Sequence, residues 1–130
     1  MSNRKENNTI KPYNRTFKFA RDVIRSLKQL PRDDINKNFV HQLSKSSSSV
    51  GANYREATEA ESLRDFLHKI RLCKKESKES RFWLGLVLEA NSNLQSIVQE
   101  GERLAQEARE FTKIFSSAAK TSAEKMKNEK

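Results

Sequence analysis

Glycine and proline are scarce here, three and two in 130 residues. A β-sandwich or barrel needs a turn about every 8–12 residues, and so few turn formers cannot supply them. A single cysteine, Cys73, excludes an internal disulfide and fits a reducing compartment. No apolar run approaches the roughly 18 residues of a membrane span, and Met1 to Lys11 contains no apolar leader core. The expected location is therefore the cytoplasm, with no membrane partner. Apolar residues are also sparse, 35% against 33% charged. That balance suits long helices with one buried stripe and a wide solvated face. A chain of this length buries about two thirds of its unfolded surface, so one domain can form a core without disulfide or metal.

What the sequence has in excess is positive charge. The net charge is +9, unevenly placed. Residues 1–32 carry nine Lys/Arg against two Asp/Glu, and 63–91 carry seven against four. Residues 33–62 are net acidic, with three against five, and 92–130 are nearly balanced, with seven against six. Concentrated cationic charge favours polyanionic partners, RNA or DNA before anionic lipid. The plainer reading is a surface that is merely soluble.

Apolar periodicity divides the chain into four helices. Residues 1–13 are polar and aperiodic, and read as a disordered arm. From Asn14, the residues Phe17, Ala20, Val23, Ile24, Leu27 and Leu30 form one stripe, which Pro31 ends. Asp33 or Asp34 can cap the next helix. Phe39, Val40 and Leu43 open a second stripe that returns at Val50, Tyr54 and Ala57. Ser44, the run Ser46 to Ser49 and Gly51 lie between, which locally suggests a loop. The stripe keeps its phase across the run, so one helix is expected from about Asn36 to Glu59. Its serines bond back to carbonyls one turn earlier, and its small residues admit a neighbouring helix. Ser62-Leu-Arg-Asp65 resembles a capping box for a third helix of about 28 residues, roughly 42 Å long. Its stripe is Phe66, Ile70, Cys73, Ser77, Ser80, Leu84 and Val87 or Leu88. Asn91-Ser92-Asn93 breaks it, and Ser92-Asn-Leu-Gln95 reads as a second capping box. The fourth stripe is Leu94, Ile97, Val98, Gly101, Leu104, Ala105, Ala108, Phe111 and Phe115, and residues 119–130 are expected to fray. The fold class is all-α: an up-down-up-down antiparallel four-helix bundle over residues 14–118.

The stretch Ser49-Val-Gly-Ala-Asn-Tyr-Arg-Glu-Ala57 closely resembles the signature of the bacterial four-helix bundle proteins named after intervening sequences in 23S ribosomal RNA genes. Asn14-Arg-Thr-Phe-Lys-Phe-Ala20, Gln42-Leu43, Asp65-Phe66 with Lys69, Lys75-Glu76, Glu79-Ser80 and Arg81-Phe-Trp-Leu84 agree in order and spacing, from about Tyr13 to Ala118. The start of the fourth helix departs, being richer in Gln, Glu and Asn. The resemblance implies an all-α fold and a ring-like homopentamer. It also implies kinship with the accessory variability protein of diversity-generating retroelements, a basic pentamer that works with a reverse transcriptase and nucleic acid.

Two helices carry cationic rows. Arg64, Arg71, Lys74, Lys75 and Lys78 lie on one side of the third helix at 100° per residue, away from its apolar stripe. Lys18, Arg21, Arg25 and Lys28 do the same on the first. Such rows can track a phosphate backbone with weak sequence preference, although charge rows are more often just solvated. Asn53, Arg55, Glu56, Asp65, Lys69, Glu76 and Glu79 match polar positions of the resemblance. Glu76 and Glu79 sit three apart, but no nucleophile, phosphate loop or oxyanion feature accompanies them. A polar network setting helix or subunit pairing is the expected role, and no enzyme activity is expected. Asp65-Phe-Leu-His68 resembles half of a di-iron unit, but His41 has Asn38 three residues before it, so no metal or other cofactor is expected. Phe19, Phe82 and Trp83 lie beside their stripes and would form an exposed apolar patch, a candidate subunit interface. The reading is a non-enzymatic basic homo-oligomer that binds nucleic acid, serving a reverse transcriptase or other nucleic-acid enzyme as an accessory. The alternative is a structural or protein-interaction scaffold.

Overall fold

A computed structural model describes the backbone from Arg4 to Glu129 and the side chains from Asn14 to Glu129. It contains four helices: α1 (Arg4–Leu27), α2 (Asp34–Thr58), α3 (Leu63–Ala90) and α4 (Gln95–Asn128). The chain is an all-α four-helix bundle. Each helix packs on the next and α4 closes onto α1, while across one diagonal the rings of Tyr54 on α2 and Phe115 on α4 meet at 5.9 Å. The helices alternate in direction. Asn36 at the start of α2 meets Asn91 just after α3, while Glu56 near the end of α2 meets Lys69 near the start of α3.

The expected second helix is continuous through the serine run. Asp33 caps it, its carboxylate accepting the Asn36 amide at 2.8 Å, a bond worth about 1 kcal/mol. Within the run, Ser44, Ser46, Ser47, Ser48 and Ser49 each donate a hydroxyl to a carbonyl three or four residues earlier. Ser46 and Ser47 are both buried, as are Ser77 and Ser80 of α3. The Ser80 hydroxyl donates to Ser46 Oγ at 3.1 Å across the contact. A Cβ on Gly51 would stand 3.2 Å from Thr16 Oγ1, so the glycine lets α1 lie close against α2. On the other side of α1, Phe19 meets Phe111 edge-on at 5.4 Å, and the Arg15 guanidinium lies 5.2 Å over the same Phe111 ring.

Several sequence expectations need correcting. The α1 stripe is phased differently: Thr16, Phe19, Val23 and Leu27 are buried, whereas Phe17 is 64% exposed. Phe17 is spaced three and seven residues from Ala20 and Ile24, and Phe19 four from Val23, so the sequence offers two phases and contact with α4 decides between them. Helix α1 begins at Arg4, inside the segment read as an arm. Residues 1–3 and Lys130 lie outside the described residues. Helix α4 runs to Asn128, so the segment expected to fray is helical that far; Ser122 is buried there and Met126 half-buried, one turn apart. The second capping box does not form. Leu94 occupies the cap position without a side-chain bond, and Ser92 is exposed.

Asn91 leaves the surface for a reason invisible in the sequence. Its amide and that of Asn36 exchange two hydrogen bonds, at 3.1 and 2.9 Å, and both residues are buried. Asn36 also donates to the Pro31 carbonyl, and Asn91 to that of Val87. The pair ties the α1–α2 turn to the α3–α4 turn. Replacing Asn36 with alanine strands the Asn91 amide in the interior. A loss of about 2 kcal/mol is expected in urea unfolding, with the helical circular dichroism of the folded state unchanged.

Candidate nucleic-acid interface

Helix α3 presents Ile70, Cys73, Ser77, Ser80, Leu84 and Val87 to its neighbours. At 100° per residue the opposite face must carry Arg71, Lys75, Lys78 and Phe82, and all four are exposed. With the half-buried Lys74 and with Glu79, they line a shallow surface cleft of about 480 Å³. None of Arg71, Lys74, Lys75 or Lys78 has a carboxylate within ion-pair distance among the described residues. Glu79, the acidic member of the lining, is turned elsewhere: its carboxylate accepts the Trp83 indole N–H at 3.1 Å. Four cations thus share an open face with one carboxylate, that of Glu79, which pairs with none of them among the described residues. Arg64, expected in the same row, is exposed but outside the cleft lining.

The cationic row of α1 differs. Arg21 Nε donates to Asp22 at 3.0 Å, and Arg25 lies 4.0 Å from the same carboxylate. Arg103 of α4 donates to Asp22 at 2.9 Å. Burial pushes the Asp22 carboxyl upward, but the hydrogen bonds from Arg21 and Arg103 outweigh it and hold it below its ordinary value. Lys18 and Lys28 remain exposed. Because α1 and α3 are diagonal in the bundle, the two rows form separate surfaces on opposite sides. One nucleic acid segment cannot lie along both rows of one protomer. The sequence places each row on its helix but does not show that opposition.

The polar positions of the resemblance do not form one network. Lys69 donates to Glu56 at 2.6 Å, pinning α3 to α2, and this bond raises the Lys69 pKa, with Asp65 contributing. The Asp65 amide donates to the Ser62 cap. Asn53 donates to the Ser49 carbonyl on its own helix. Arg55 is exposed and Glu76 half-buried. The three aromatics expected to share one patch differ in exposure. Phe19 is 2% exposed, inside the core, because the α1 phase turns it toward Phe111. Trp83 is half-buried against Phe39, 6.3 Å between ring centroids. Phe82 alone of the three is well exposed, at 58%. Cys73 is fully buried, and burial pushes its thiol up to about 12, so it behaves as a small core residue.

One feature of the surface has no counterpart in the sequence reading. Ile24, Leu27, Leu30, Pro31 and Val40 line an open apolar groove of about 870 Å³ between α1 and α2, rimmed by Lys28, Arg32 and Lys37. It joins residues from two helices, and periodicity along one helix cannot reveal it. Gly85, on the outer face of α3, is equally unforeseen: a Cβ there would meet nothing within 4 Å. Alanine at this position is expected to stabilise the bundle by about 1 kcal/mol, read as a rise in the urea midpoint at constant slope.

Residues 8–117 match a family model described as 23S rRNA-intervening sequence protein. Among solved structures, the chain is similar to a protein of unknown function from the S23 ribosomal protein family of Bacteroides thetaiotaomicron. The two share 27% identity over 83% of this chain and 97% of that one, with a TM-score of 0.68. A comparison with curated proteins found no match.

Proposed function

The chain belongs to the 23S rRNA-intervening sequence protein family, and from that premise we propose that it is a non-enzymatic, homo-oligomeric nucleic-acid-binding protein serving a nucleic-acid enzyme as an accessory. The observation that supports binding is the α3 cleft, where Arg71, Lys74, Lys75 and Lys78 gather without carboxylate partners. Unpaired cations on an open face are stabilised by a polyanion, because each neutralised phosphate releases condensed counterions. Contacts of this kind position the backbone without reading bases, so sequence preference is weak.

Assembly rests on the resemblance, which implies a pentamer, and on apolar side chains left in water. Phe17, Ile24, Ile35 and Val40 are exposed on α1 and α2, and Ile24 and Val40 line the groove between those helices. This surface lies away from the α3 cleft, so a subunit contact there leaves the cations free. Partnership with a reverse transcriptase rests on the same resemblance.

The test is equilibrium binding of RNA and of DNA oligonucleotides at two salt concentrations, with light scattering on the same sample. Binding that weakens steeply with salt supports the reading. A micromolar solution that binds neither at low salt overturns it and leaves a structural scaffold.

A further inference from the structure

The same α3 face also carries a feature that distinguishes between forms of nucleic acid. Phe82 lines the cationic cleft, and the residue is 58% exposed. Trp83 buttresses it edge-on, 5.0 Å between centroids at 79°, and Trp83 is itself fixed by Glu79 and Phe39. The exposed ring is therefore braced rather than free to collapse onto the helix. One turn onward stands Gly85, beside which space is open. Lys78 and Lys75 precede the ring by four and seven residues, roughly 6 and 10 Å along the helix at 1.5 Å per residue.

A duplex can satisfy the cations but not the ring, because its base faces are stacked inside. A single strand offers both groups at once, phosphates for the cations and an unstacked base for the aromatic face. A second copy of this chain fits less well, since a symmetric contact would bring the same four unpaired cations of each copy together. We infer that the α3 face takes single-stranded nucleic acid, with a base stacked on Phe82 and the flanking phosphates on Arg71, Lys74, Lys75 and Lys78. This inference rests on the proposed function.

The test compares the full chain with Phe82→Leu and Phe82→Tyr. The probes are labelled single-stranded RNA and DNA of about 12 nucleotides and a duplex of the same length. Phe82→Leu is expected to weaken single-strand binding about tenfold, since stacking on one aromatic ring carries that order of affinity. Duplex binding should be unchanged, and Phe82→Tyr, which keeps the aromatic face, should bind as the parent does. If Phe82→Leu leaves single-strand affinity intact while binding still falls with salt, stacking is wrong and the electrostatic reading stands. If no probe binds the parent chain, both fail. A Phe82→Leu variant that instead changes the mass seen by light scattering would make Phe82 a subunit contact and overturn the inference.

Discussion

Substituting glutamate for Lys74, Lys75 and Lys78 together is expected to lower affinity for nucleic acid by about a hundredfold at low salt. Arg71, Lys74, Lys75 and Lys78 line the α3 cleft, and none is tied to a carboxylate among the described residues. Reversal therefore removes three phosphate contacts and adds three repulsions while breaking no internal ion pair. The dependence of log affinity on log salt should flatten by about three units, one per lost contact. The fold should survive, because Lys75 and Lys78 are exposed and the buried stripe of α3 is untouched. Titration by fluorescence anisotropy, with circular dichroism as the folding control, reads both effects. The same reversal at Lys18 and Lys28 on α1 provides the contrast. A larger loss from the α1 pair would place the interface on the opposite side of the bundle.

Replacing Ser47 with leucine is expected to destabilise the bundle by about 3 kcal/mol, at the upper end for overpacking a dense interior. Ser47 is completely buried, and its chain neighbour Ser46 is buried where it meets Ser80 of α3. The two added heavy atoms and their branching have nowhere to go unless α2 moves off its neighbours, and such a movement would also break the Ser80–Ser46 hydrogen bond. At about 4 °C per kcal/mol for a domain of this size, the melting temperature should fall by about 12 °C. Ser47→Ala should be close to neutral. Its hydroxyl makes a long 3.4 Å bond to the Ser44 carbonyl of its own helix, and alanine is the better helix former. A leucine tolerated without loss would mean that a small side chain at this position is not what sets the packing of α2 in the bundle.

The serine run shows why the bundle was legible in the sequence. Composition suggested a loop, but Leu43 and Val50 sit two turns apart on one helical face, and both are buried. Phase is a property of the whole helix and outweighs local propensity, so α2, α3 and α4 keep most of their stripes, with Val40 exposed and Leu67 buried in place of the half-buried Phe66. Phase failed for α1, where Phe17 and Phe19 competed for the same role and the deciding partner, Phe111, lies far along the chain. The Asn36–Asn91 pair was hidden for a similar reason. An asparagine at a helix start and another at a helix end look like ordinary caps until the fold brings them together across 55 residues.

The candidate interface divides along the same line. The cationic face of α3 follows from spacing on one helix and was readable. Partial neutralisation of the α1 row was not, because Arg103 reaches Asp22 from 81 residues away. Nor was the burial of Phe19, which left Phe82 as the exposed aromatic beside the cations.

Ultraviolet crosslinking of the chain to a single-stranded oligonucleotide, with the attached residues located by peptide mass spectrometry, tests the α3 interface most directly. Crosslinks concentrated between Arg71 and Leu86, with Phe82 among them, are expected. Crosslinks confined to α1, or none from a micromolar mixture at low salt, would contradict it.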